Sequence, residues 1–240
     1  LNASYEKMLP TAHPYIQNYL ANKGQLRGLG NTLRVVVETT QGDIFDPAYL
    51  ATLSKVNDEL FLTPGVDRAW VKSIWMPVVR YTEVTEEGFA GGPVMPDTYD
   101  GSKKSLEQLR QNITKAGLVG SLVANDFKSA MIVVPLLDVD PASGNPIDYW
   151  ALSHAIEKNV RDKFETADGK YKVRVIGFAK IVGSLLDGIL QVMLYFVAAI
   201  RQTTGIACTP DDFMASPTIA GFASHISDRM QPGPDAQALN

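Results

Sequence analysis

The chain has 240 residues, 45% hydrophobic and 20% charged, with 19 glycines and 14 prolines, a globular mix that excludes collagen-like, disordered and disulfide-rich folds. Its 22 basic and 26 acidic side chains leave a formal charge of −4 with no basic block, which argues against a nucleic-acid surface. The lone Cys208 excludes an intrachain disulfide and a cysteine metal cage, and His13, His154 and His225 are too dispersed for a histidine zinc site.

The chain opens abruptly at Leu1, Asn2 and Ala3, as an excised segment would. Residues 1–30 read as an N-terminal helical linker, with Tyr15, Ile16, Tyr19 and Leu20 at helical spacing. Gly24, Gly28 and Gly30 follow a helix and precede a strand. A dinucleotide fingerprint requires the reverse, so they read as linker glycines.

Residues 31–180 read as an α+β domain. The β-branched run 33–39 predicts a strand that ends at Gly42 and Asp43. Asp46 and Pro47 then supply an N-cap and a first-turn proline. The helix they open carries Tyr49, Leu50, Leu53, Val56, Leu60 and Phe61 on one stripe. It stops at Thr63, Pro64 and Gly65, and 66–75 is expected to form the next strand. A second unit follows the same plan. Residues 127–137 read as a strand, with Pro135 marking an edge or a bulge. The turn formers of 138–146 lead to a helix over 147–164 with Tyr149, Leu152, Ile156, Val160 and Phe164 at helical spacing. Asp168 and Gly169 turn the chain into a period-2 strand over 171–177. Two β–α–β units in succession predict a ferredoxin-like β-α-β-β-α-β arrangement, with two helices on one face of a four-stranded sheet. Between the units lies an insertion, 77–124, with Gly91, Gly92, Pro93 and Pro96 and a polar helix pattern over 105–114.

Residues 181–200 form a hydrophobic helix whose only ionisable member is Asp187. The segment fits either a buried helix or the start of a transmembrane helix that enters the bilayer near Gly188. In the second case Asp187 marks the membrane boundary at headgroup level, because a carboxylate at midplane costs about 2.5–3.5 kcal/mol or more. Arg201 and Gln202 follow at once, then a turn-rich tail over 201–240.

No nucleophile elbow, P-loop or metalloprotease helix occurs, so no catalytic residue is assigned, and no metal or cofactor is expected. Asp138, Asp140, Gly144 and Asn145 resemble half a calcium loop with the wrong spacing, and read as a solvated turn. Glu83, Glu86 and Glu87 read as a solvated face and His154 as a surface or core-edge histidine. Glycosylation triplets begin at Asn2 and Asn112, a pattern that chance supplies often.

Several motifs, in order, resemble bacterial exporters of the RND superfamily, of the MMPL-like, Patched-related type. They are YEKMLPTAHPY at 5–15, GDIFD at 42–46, LTPGVDR at 62–68, VTEEG at 84–88, VPLLD at 134–138, IGFAK at 176–180 and LDG at 186–188. The resemblance covers about residues 1–200. It implies a periplasmic porter domain between the first and second transmembrane helices of a proton-driven exporter of lipidic or hydrophobic molecules. The partners implied are the remaining transmembrane helices, a second porter domain, membrane lipid and the hydrophobic substrate. The whole is implied to be an oligomer in the bacterial inner membrane. The relay carboxylates of such exporters lie in later transmembrane helices, and none is carried over to this chain.

From Arg201 the chain departs from that pattern, and 201–222 resembles the end of an acyl or peptidyl carrier domain. A carrier needs a phosphopantetheine serine. Gly183, Ser184 and Leu185 echo its motif without the preceding Asp, and Ser184 lies too far upstream. A chimeric or truncated frame accounts better for the tail, and a carrier-like or interaction module is the alternative function. On the exporter reading this portion is a non-enzymatic module lining part of a substrate path. Trp70, Trp75, Met76 and Tyr81 are the candidates for apolar contact with substrate, against core packing as their ordinary role.

Overall fold

A hydroxyl group joins the first strand to its neighbour. The structure, a computed structural model, describes residues 9–26, 31–215 and 218–230. The chain is α+β and divides into two compact units, Leu1–Gly183 and Ser184–Asn240. In the first unit, helix α1 (Pro14–Asn22) is capped by the His13 ring and buries none of its residues. Gly28, Gly30, the triplet at Asn2 and the first part of the 5–15 motif lie outside the described residues.

Strand β1 (Thr32–Thr39) runs into helix α2 (Pro47–Leu62), whose N-cap Asp46 accepts the Ala48 amide. Tyr49, Leu50, Leu53, Val56 and Leu60 are fully buried, as their spacing predicts. The Tyr49 hydroxyl donates to the Val37 carbonyl at 2.7 Å and accepts the Ala130 amide at 2.9 Å. Val37 and Ala130 are paired residues of β1 and strand β4 (Ser129–Pro135). Strand β5 (Tyr171–Ile176) pairs with the other side of β1, so the sheet order is β4-β1-β5, antiparallel throughout.

The strand expected over 66–75 does not form as one. Val66 bridges Leu136 and Lys72 bridges Val133, but a 3-10 turn at Arg68–Trp70 lifts the chain away between them. The helix expected over 147–164 is also modified. Helix α4 (Tyr149–Ile156) passes into a π turn, Glu157–Arg161, and ends in the short helix α5 (Asp162–Phe164). Its apolar residues Leu152, Ile156 and Val160 recur every four residues, more than the 3.6 of an α-helix. The wider π turn keeps Val160 on the buried face with Leu152 and Ile156.

The 77–124 insertion contains a hairpin that the sequence pattern did not announce, β2 (Arg80–Thr85) and β3 (Gly88–Pro93). A Cβ on Gly91 would stand 2.5 Å from the Tyr81 carbonyl oxygen, so only glycine permits that approach. Helix α3 (Lys103–Lys115) follows, close to the expected 105–114. Its N-cap Ser102 accepts the Ser105 amide, and Asp100 accepts the Ser102 amide at 2.9 Å.

Beyond β5, helix α6 (Phe178–Thr204) is longer than the expected 181–200 at both ends. The second unit also contains two helices where a turn-rich tail was expected, α7 (Pro210–Ala215) and α8 (Ile219–Met230). Cys208, Phe222 and Ile226 form its small core, with Val197, Ile200 and Ile206 packed against them. Asp212 accepts the Thr209 amide at 2.8 Å and pairs with Arg229 at 3.5 Å, tying α7 to α8. Residues 216–217 and 231–240 of the tail lie outside the described residues.

Removing the Tyr49 hydroxyl leaves a buried carbonyl and a buried amide short of a partner. Tyr49→Phe is expected to lower stability by roughly 1–3 kcal/mol with an unchanged m-value, read by urea unfolding. Hydrogen bonds from Ser102, its hydroxyl first and its amide second, hold the Asp100 carboxyl down to about 2. A depressed carboxyl stabilises the folded state above its unfolded value of about 4 and loses that contribution as pH falls towards the folded one. The Ser102 amide resonance is therefore expected to titrate near pH 2, in step with fraying of the first turn of α3.

Candidate functional site

The feature that stands apart from the packed core of the first unit is α6. Its first turns belong to the first unit and are packed there. Ala179 and Val182 are buried, Phe178 meets Tyr149 edge-on at 5.7 Å, and Lys180 pairs with Glu157 at 2.9 Å. Gly183 is the tightest point. A Cβ there would lie 2.3 Å from the Ser153 Cβ, so the absence of a side chain lets α6 cross α4 closely. Gly177 opens this approach with φ of +148°, and a Cβ would meet Leu33 and the Thr32 carbonyl.

From Ser184 onward the helix changes character. Leu185, Ile189, Leu190, Leu194 and Phe196 are exposed, and Val192 and Tyr195 are 67% and 68% exposed. Only 17% of the most apolar 18-residue window of α6 is buried, the opposite of a core helix. By length and composition it is the one helix among the described residues able to cross a membrane. Positions 185, 189, 192 and 196 share a face by helical spacing, whereas 190 and 194 lie on the opposite side. Ser184, Gly188, Met193 and the residues of the first face line an open groove of about 690 Å3. Asp187 is half-buried one third of the way along, and Arg201 stands 14 residues on, about 21 Å at 1.5 Å per residue. Ser184, the candidate carrier serine, lies inside this helix and is exposed.

The four candidate contact residues have separate surroundings. Trp70 closes the 3-10 turn and is exposed. Trp75 is half-buried with its ring edge-on to Tyr99, centroids 5.6 Å apart, and its indole N–H is buried with no acceptor. The Met76 sulfur accepts the Asn57 amide at 3.7 Å. Tyr81, on β2, covers Gly92 and has the Lys115 ammonium 5.6 Å from its ring centre. Two features went unread in the sequence. Ser73 donates to the Asn57 side chain at 2.6 Å in the core, and Val84 faces Phe89 at the hairpin tip, both largely exposed. The apolar pair flanking Glu86 and Glu87 was the available signal for that hairpin.

Among the described residues no group of three His, Cys, Asp or Glu side chains is placed to hold a metal ion. Asp138 pairs with Lys23 at 2.6 Å, and Asp140 closes an Asx turn on the Ala142 amide, so the partial calcium motif folds as a turn. His154 is exposed on α4 with its ring 4.6 Å from that of Trp150. Glu83 pairs with Lys115 at 2.6 Å, whereas Glu86 and Glu87 are exposed. No protein-family model matches the chain, and no curated protein matches it.

The two glycines of α6 separate packing from open space. Gly183→Ala is expected to cost roughly 1–3 kcal/mol through overpacking, despite the better helix propensity of alanine. Gly188 has nothing within 4 Å of a built Cβ, so Gly188→Ala is expected to be neutral or to gain up to about 1 kcal/mol. Denaturant unfolding of the two variants in mild detergent provides the comparison.

Proposed function

We propose that this chain is the extracytoplasmic module of a proton-driven exporter of the RND type, built like the MMPL-like members and anchored through α6. The observation that carries this reading is the exposed apolar surface of α6 between Leu185 and Phe196. The sheet adds support. If Val66 and Lys72, bridged to the outer side of β4, stand for a second strand reduced to two bridges, the order β5, β1, β4 would match a ferredoxin-like sheet. The module would stand on the periplasmic side of the inner membrane, against the remaining transmembrane helices and a second porter domain of an oligomer. It would line part of the path of a lipidic or hydrophobic substrate, with Trp70 offering exposed aromatic surface and Trp75, Met76 and Tyr81 supporting the wall. It has no catalytic role on this reading.

In the bilayer Asp187 would sit at headgroup level. The apolar stretch 188–200 rises only about 20 Å against a hydrocarbon core of about 30 Å, so Arg201 would snorkel or the bilayer thin locally.

Liposome flotation tests the anchor. The 240-residue chain is expected to float with vesicles and to resist alkaline carbonate, whereas the double variant Leu190→Glu, Leu194→Glu remains in the aqueous fraction. A parent chain that stays soluble and monomeric without lipid or detergent overturns the membrane reading. In the whole exporter a photoactivatable lipid is expected to label Trp70 or its neighbours, and no label in this domain removes the lining role.

A further inference from the structure

A cavity of about 400 Å3 lies in the first unit between the end of α2, the 140–147 loop and the first turns of α4. Pro64, Gly65, Ile147, Ala151, Leu152 and Ala155 give it mostly apolar walls. Ala151, Leu152 and Ala155 fall on one face of α4, and the two alanines leave space that a larger side chain would fill. Gly65, at φ +86°, brings its backbone so near Ile147 that a Cβ would stand 3.1 Å from its Cδ1.

The two rim carboxylates and the Ser143 hydroxyl are already engaged. Asp140 accepts the Ala142 amide at 3.0 Å and the Ser143 hydroxyl at 2.8 Å. Asp148 caps α4 by accepting the Trp150 and Ala151 amides at 2.9 and 3.0 Å. The Ser143 hydroxyl oxygen accepts the Asn145 amide at 3.3 Å. A ligand therefore finds few free hydrogen-bonding groups there and gains chiefly by burying apolar surface. The rim nevertheless carries two carboxylates. Hydrogen bonds, the Ala142 amide foremost, hold the Asp140 carboxyl below the usual carboxylate range, so its charge persists at neutral pH. An anionic head would be repelled at this mouth, and an uncharged or cationic one would not.

We propose that this cavity binds a small apolar chain with a cationic head, its apolar part against Ala151 and Ala155 and its head between Asp140 and Asp148. The site is independent of α6 and of transport, so it survives or fails apart from the membrane reading.

The test uses the full chain, in lipid nanodiscs if it needs lipid and in buffer if it does not, with two diazirine-bearing probes, a dodecylamine and a dodecanoate, and maps the label by peptide mass spectrometry. The amine is expected to label 140–155 saturably and at least about fivefold more than the carboxylate. Ala151→Phe, at an exposed position, is expected to abolish that label while leaving any label on 184–196 unchanged. Asp140→Asn, which retains the turn-forming acceptor, is expected to raise labelling by dodecanoate. Four results would overturn the proposal: label confined to 184–196, no saturation at 140–155, persistence in Ala151→Phe, or equal labelling by both probes.

Discussion

The Tyr49 hydroxyl is the point at which the helices and the sheet of the first unit become one structure. It lies between paired residues of β1 and β4, donating to one strand and accepting from the other. Its ring also meets Tyr171 of β5 edge-on at 5.9 Å, so one side chain of α2 touches every strand of the sheet. Burial, partly opposed by the Ala130 hydrogen bond, pushes its ionisation far above the ordinary tyrosine value. It stays neutral and remains a donor at any physiological pH. Leu50, Leu53, Val56 and Leu60 can pack densely beside it because the register it fixes places Val35 and Val37 in the core.

With the central strand fixed, both sheet edges are covered. On the outer side of β4, Lys72 and Val133 exchange backbone bonds, Asp67 donates to Pro135 and Met131 donates to Leu122. On the outer side of β5, side chains do the same work. The Tyr171 amide donates to the Thr166 hydroxyl, and the Val173 amide donates to the Glu165 carboxylate. Arg161 donates to the Val173 carbonyl and is held by Glu157, which also pairs with Lys180. Edges blocked in this way resist strand addition.

What the sequence showed follows from which interactions are local. Asp46 and Pro47, and the stripe from Tyr49 to Leu60, are decided within a few turns, and α2 forms where they place it. The β-branched run of β1 and the period-2 run of β5 were equally legible. Residues 66–75 were not, because Val66 and Lys72 bond to β4 while Arg68–Trp70 turn locally, a compromise that period alone does not reveal. The β3 strand is half glycine by sequence, and its pairing depends on the close approach of Gly91 to Tyr81, a tertiary fact. The π turn could have been suspected from the four-residue spacing of Leu152, Ile156 and Val160. In the candidate site the apolar run of α6 was evident, but its exposure was not. Nor was the small core around Cys208, which needs α8 to return to the end of α6 within the second unit.

For the proposed membrane anchor, the arrangement along α6 bears on which of two ways it would meet a bilayer. A helix that lies on a membrane surface needs a broad polar face opposite its apolar one. Here both sides beyond Ser184 are apolar. Leu185, Ile189 and Val192 occupy one side, Leu190 and Leu194 the other, and Gln191 is the only strongly polar side chain between Asp187 and Arg201. Each large side chain among them forgoes about 1.5–3 kcal/mol while it faces water, and rotating the helix exchanges one apolar side for another without relief. The groove along 184–196 accommodates only part of that surface. On the anchor proposed above, leaving water would relieve Leu185, Ile189, Leu190, Val192 and Leu194 together, which suits a crossing helix better than one resting on the surface. The packing of Ala179, Val182 and Gly183 at its root is consistent with that choice, because these turns are small or buried where the run beyond them is large and exposed.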